Sequence, residues 1–292
     1  MNRRDLLGRA IAGAGLTGVG AFGTRVGSAH EGSHVGLPTS PIKVTSSFFN
    51  LEPVEKFRQL MRVQRSLYDE DDILHWYHFT MVAVPLNATP VPVVRWEGIE
   101  FSRHQRIGES LYRLHGHNLS FPRDLHSGEF IDRVKNPVTG QVVDVPPMAL
   151  TEDPGIIRSL EGVVTLDAPQ LKPRPELRTI RRENDWVKVD AIRVPPDTWP
   201  VTFLEIGTEG VPAALFADPR HLWLPSEVSG AYVFPWPKWM QMGDAPGHMF
   251  ASWSGCKLRD VSQLPADFVQ RAESGYGHLL TVDRSPFARP LS

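Results

Sequence analysis

Cysteine is almost missing from this chain. Cys256 is the only one in 292 residues, so no disulfide can form within a monomer and stability has to come from packing. Charge of one sign is not in excess either: the formal net charge of −2 offers no broad basic surface, which argues against nucleic acid as a partner. The GxSxG elbow of serine hydrolases and the Walker pattern of ATP-binding loops do not occur. Cys256 sits in a weakly distinctive SGCK, where a small buried residue is the plainer reading than a nucleophile. Long hydrophobic runs are absent as well. The apolar stretch near the N-terminus is glycine-rich and broken by Arg9, well short of the roughly 20 apolar residues a helix needs to cross a bilayer.

What is present is the composition of an ordinary globular protein, 41% hydrophobic and 22% charged, long enough to bury a full core in one large domain. The opening, MNRRDLLGRAIAGAGLTGVGAF, joins paired arginines (Arg3, Arg4) to a weakly apolar run and then to small residues at Gly27 and Ala29. This is the layout of a twin-arginine export signal, with cleavage expected after Ala29. The expected organisation is a signal peptide over residues 1–29, a flexible segment over 30–47, and a single domain over 48–292. That domain would be delivered folded to the periplasm by the twin-arginine machinery.

The hydrophobic pattern then sets the fold. Val54, Phe57, Leu60, Met61 and Leu67 recur at helical spacing and predict one short amphipathic helix. ILHWYHFTMVAVP, PVVRWEGIEFSRHQ and LYRLHGHNLSF are dense in aromatic and β-branched residues and read as strands. Two turns ending in Gly128 and Gly140 continue them as a meander through EFIDRVKN and QVVDV. KPRPELRTIRREN reads as a solvated basic loop. Strands resume at WVKVDAIRV, PVTFLEIGTEG and HLWLPSEVSG, and LPADFVQRAESGY predicts a closing helix. The expected fold is mainly β, a curled antiparallel sheet or barrel of lipocalin-like type with a few short helices.

HWYHFTMVAVP, KNPVTGQ and above all PWPKWMQMGDAPGHMFASWSGCKL resemble the bacterial family called domain of unknown function 1838, over about residues 50 to 283. The resemblance supports the domain boundaries and the export signal and names no catalytic residue.

Side-chain chemistry has to supply the site. Alternate residues of a strand share a face, which groups Arg113, His115 and His117 opposite Tyr112, Leu114 and Asn118, and His75, Tyr77 and Phe79 opposite Trp76 and His78. Large aromatic and ionisable groups on neighbouring strands suit a polar cavity better than a solvent face. His75, His115 or His117 is then the expected acid or base, Tyr77 a donor to a developing oxyanion, and Arg113 a holder of an anionic or phenolic oxygen. Trp76, Trp96, Glu97 and Tyr112 are the expected ligand contacts. Trp236, Trp239 and Met242 of the PWPKWM block, with Lys238 and Met240 among them, form a second wall. The expected activity is cofactor-independent acid/base chemistry, a lyase, isomerase or hydratase acting on a small aromatic or polycyclic molecule. Non-oxidative cleavage of a lignin-type aromatic dimer is one reaction of that class. A carrier of a hydrophobic ligand is the alternative, and it needs the aromatic wall without interacting ionisable groups. A metal enzyme is a third reading: His115-x-His117 would be completed by His75 or His248 with Glu97, no cysteine being available to help.

Overall fold

The computed structural model describes residues 44–165, 177–193 and 204–288. The expected signal peptide and most of the segment after it lie outside them. The chain runs β1 (Ser46–Phe48), α1 (Pro53–Gln64), β2 (Glu70–Pro85), β3 (Val91–Gly108), β4 (Leu111–Arg123), β5 (Arg133–Lys135), β6 (Val142–Asp144), β7 (Met148–Ser159) and β8 (Gly162–Thr165). It continues through β9 (Leu177–Glu183), β10 (Trp186–Arg193), β11 (Leu204–Pro212), α2 (Ala213–Ala217), β12 (Glu227–Phe234), β13 (Gly247–Leu258) and α3 (Ala266–Glu273). The protein is mainly β, as expected. Eleven strands form one antiparallel sheet in the order β1-β9-β10-β11-β12-β13-β2-β3-β4-β7-β8. Among the described residues the end strands β1 and β8 do not pair, so the sheet curls without closing.

Three departures from the sequence reading have physical causes. The expected meander is interrupted: β5 and β6 pair only with each other, and β7 takes the place beside β4. Gly128 and Gly140 do hold positive φ (75° and 74°), so the turns were placed correctly and only the partners differ. The basic run from Leu177 onward is strand β9, not a loop, because Arg178 and Ile180 alternate inward under their neighbours. The short helix α2, with Phe216 buried, left no periodic signal over its five residues.

Helix α1 explains the curl. Phe57 and Met61 pack on Tyr112 and Leu114 of β4, while Val63 packs on Ile180, Val187, Val189 and Val211 of β9 to β11. One helix thus fills the concave side between two arms of the sheet, each large side chain gaining about 1.5–3 kcal/mol from burial. Gln64 at its end links the arms directly, accepting from Arg158 Nη1 of β7 (3.0 Å) and donating to Glu209 of β11. Lys257 of β13 ends the helix: its ammonium donates to the carbonyls of Arg62 (3.1 Å), Val63 (2.6 Å) and Arg65 (2.9 Å), which have no partner further along the helix. The convex side of β2 to β4 is covered by the C-terminal segment, where Leu74, Ile99, Phe101, Leu119 and Phe121 meet Leu264, Phe268, Ala272 and Leu279. Among the described residues no helix is long and apolar enough to cross a membrane.

Candidate active site

The sheet register decides which side chains meet. On the concave face β2 presents His75, Tyr77, Phe79 and Met81, and β3 presents Trp96, Gly98 and Glu100 opposite them. His75, Glu100, Asn118 and Leu150 are successive partners across four strands, and Tyr77, Gly98, Ser120 and Met148 form the next row. These rows floor a cavity of about 990 Å³ between the arms of the sheet. Its polar lining is Gln64, Arg65, His75, Glu100, Asn118, Glu205 and Glu209. Its apolar lining includes Phe79, Met81, Trp96, Met148, Phe234, Pro237, Trp239 and Trp253. Phe79 and Trp96 stand as nearly parallel plates with centroids 6.0 Å apart, as cross-strand aromatic partners can. Gly98 has a specific task here. A Cβ added to it would lie 2.3 Å from the Ser120 Cβ and 2.4 Å from the Leu119 carbonyl, so its bareness lets β4 approach closely in the row where the Tyr77 hydroxyl reaches Asn118 Oδ1 at 3.5 Å.

The ionisable groups of the lining interact. Arg65 Nη1 pairs with Glu100 at 2.6 Å and donates to Ser102 Oγ at 3.1 Å. Burial works against the Glu100 carboxylate, but the charge and hydrogen bond of Arg65, aided by His75 and Arg193, outweigh it and hold its pKa at about 2. A third of that side chain is still accessible, and Glu100 lines the cavity. His75 is only 9% exposed. Its burial, reinforced by the charges of Arg65, Lys257 and Arg193 against the opposing pull of Glu100, brings its pKa to about 3, so the imidazole is neutral at ordinary pH. Burial pushes the phenols of Tyr77 and Tyr232 up, so both stay protonated donors. On the far arm, Glu205 takes both of its oxygens to Arg193 Nη1, at 2.8 and 2.9 Å.

Of the residues expected from sequence, His75, Tyr77, Trp96 and Trp239 come together in this cavity. Arg113, His115 and His117 do share one face, but it is the convex one. His117 Nε2 donates to the Leu279 carbonyl at 2.5 Å, and burial lowers its pKa. The rings of His115 and Phe287 meet edge to face at 6.2 Å, and the Arg113 guanidinium lies 5.4 Å from the same ring. His75 and Tyr77 therefore lie on the face opposite this trio. Trp76 is also convex, packed edge-on against Phe268 at 4.9 Å. Glu97 pairs with Arg123 there, and burial leaves its carboxyl above its ordinary value despite that charge. Tyr112 is concave but lies under α1, against Phe57 at 6.0 Å. Trp236 donates to the Ala245 carbonyl at 2.8 Å, and Met242 is buried with Met240 behind the apolar wall. Sequence reasoning missed Arg65, Glu100, Asn118, Glu205, Glu209, Tyr232 and Trp253. Glu100 and Asn118 were legible as neighbours of the chosen residues with opposite parity. Glu205 and Glu209 were not, because their strand lies far away in sequence.

Among the described residues no group of three or more His, Cys, Asp or Glu side chains comes together as a metal site would need, so nothing joins His115 and His117 as a third ligand. The chain matches no protein-family model and no curated protein.

Proposed function

We propose that the concave cavity is the active site of an acid/base enzyme, an isomerase or lyase acting on a flat, largely apolar molecule. The carrying observation is that ionisable groups touch one another inside the aromatic cavity, His75 beside the Glu100–Arg65 pair with the Tyr77 hydroxyl in the next row. A carrier needs the aromatic wall alone. Neutral His75 takes a proton from a carbon of the ligand, and the electron pair left behind moves onto an adjacent oxygen. The Tyr77 hydroxyl donates to that oxyanion, and the positive field of Arg65, Arg193 and Lys257 favours it. The same field makes imidazolium a strong acid, so the proton returns readily, to another ligand atom in an isomerase or to a leaving group in a lyase. Phe79, Trp96 and Trp239 hold the apolar body.

Mass spectrometry of whatever co-purifies identifies the ligand, and incubation in deuterium oxide tests the chemistry. Wild-type protein is expected to introduce deuterium into the ligand or convert it, and His75→Gln to lose at least about a hundredfold of that rate. A ligand that is bound tightly yet recovered unchanged and undeuterated establishes the carrier instead.

The same proposal includes export. The Arg3–Arg4 pair and the small residues before His30 support a twin-arginine signal and a periplasmic location, and the PWPKWM block supports membership of the family named above. Replacing both arginines by lysine, which lacks the planar guanidinium, is expected to leave full-length protein in the cytoplasm. Unchanged processing and export overturn this part.

A further inference from the structure

Glu205, Gly207 and Glu209 lie on the concave face of β11, because alternate residues share a face and both glutamates line the cavity. Gly207 pairs with Gly230 of β12, and Gly230 pairs with Trp253 of β13. The indole lies across both glycines: a Cβ on Gly230 would stand 2.6 Å from Trp253 Cζ2, and one on Gly207 would stand 3.1 Å from it. Two bare positions in one row therefore carry the ring from its own strand to a place between two carboxylates. Tyr232, the direct partner of Glu205 across the sheet, lies alongside it with centroids 5.6 Å apart and planes 18° from parallel.

The charges on the cavity lining itself are unequal, with Arg193 and Lys257 standing behind it. Among the described residues lining the cavity, Glu100, Glu205 and Glu209 face one guanidinium, Arg65. Glu100 is matched by Arg65 and Glu205 by Arg193, whereas the donor to Glu209 is the uncharged Gln64 amide. The Lys257 ammonium feels the Glu209 charge but directs its hydrogen bonds to the end of α1. A carboxylate only accepts hydrogen bonds, and an aromatic ring face attracts cations.

The geometry points to a cation subsite, at which the flat ligand carries a protonated amine held over the Trp253 and Tyr232 rings between Glu205 and Glu209. This rests on the reading that the cavity binds a flat apolar molecule, and not on His75 acting on it. The opposite choice, a ligand carboxylate, would meet the like charge of Glu205 and Glu209 there.

Three naphthalene probes of one size test it by calorimetry on the full chain: 2-naphthylmethylammonium, 2-naphthylmethanol and 2-naphthoate. The ammonium is expected to bind at least about tenfold more tightly than the carboxylate, the scale of a desolvated cation–π contact with a charged partner. Glu209→Gln is expected to remove most of that preference and leave the alcohol's affinity unchanged. Carboxylate binding as tight as ammonium binding overturns the subsite, and so does a preference that survives the substitution. If none of the three binds, the cavity reading itself falls and the subsite with it. The comparison on unsubstituted protein decides the matter even if the variant does not fold.

Discussion

Acidification should destabilise this protein through His75, by an amount the site geometry sets. The imidazole titrates near 6.5 in an unfolded chain and at about 3 in the folded one. A depressed pKa means that the unfolded state binds the proton first. The stability His75 contributes is therefore complete above its unfolded value and is lost as pH falls from there toward the folded value. Between about pH 7 and about pH 4.5 the loss is about 2–3 kcal/mol for this one group, a sizeable part of the 5–15 kcal/mol typical of a domain. Glu100 has the same sign but a lower window, since its carboxyl falls from 4.5 unfolded to about 2 folded and loses its contribution as pH drops through that range. Burial of His104 and His117 adds in the same direction as His75. Their share cancels when wild type is compared with His75→Gln, which keeps a polar side chain and removes the titration. Urea unfolding followed by circular dichroism at the two pH values measures the difference directly. Wild type should lose about 2–3 kcal/mol more than the variant. Equal losses would refute the neutral, enclosed imidazole on which the proposed chemistry depends.

Three further outcomes follow from packing. Gly98→Ala places a Cβ against Ser120 and should cost about 1–3 kcal/mol in the same unfolding assay, with the Tyr77 hydroxyl displaced from Asn118; a neutral result would show that the strands part easily there. Lys257→Met strips the ammonium from three carbonyls at the end of α1, of which Arg62 keeps the Leu224 amide, at about 1–3 kcal/mol for each group left buried without a partner. Hydrogen exchange should then speed up over the last turn of that helix, and unchanged protection would count against the cap. His117→Ala removes the bond to Leu279 and should expose the C-terminal segment to proteolysis while leaving ligand affinity unchanged; lost affinity would return the site to the convex face.

The fold class was legible because period-two alternation and turn glycines are local signals, the first plain in Val187 to Ala191 and the second at Gly128 and Gly140. Choosing the face of β4 was harder. The alternate set holding His115 and His117 also holds Leu119 and Phe121, which belong to a covered core, while the opposite set thins through Gly116, Asn118 and Ser120 to make room for a cavity. That thinning was in the sequence and was outweighed by the appeal of paired histidines. The far wall was out of reach for another reason. Glu209 meets Gln64 only because the sheet curls, and no local pattern encodes a contact 145 residues away.

The strand order also constrains when the molecule can become itself during synthesis. β2, near the centre of the sheet, has β13 as one of its two neighbours, and the Ser254–His78 bond between them spans 176 residues. Lys257 reaches back 195 residues to Arg62. Until those late strands leave the ribosome, β2 offers an unpaired edge, α1 lacks its terminal donor, and the apolar side of β2 to β4 waits for Leu264, Phe268 and Leu279. Pairings this distant are slow to form and leave sticky intermediates behind them. The nascent chain should therefore need chaperone shelter through most of translation and acquire its cavity only in one late, cooperative event.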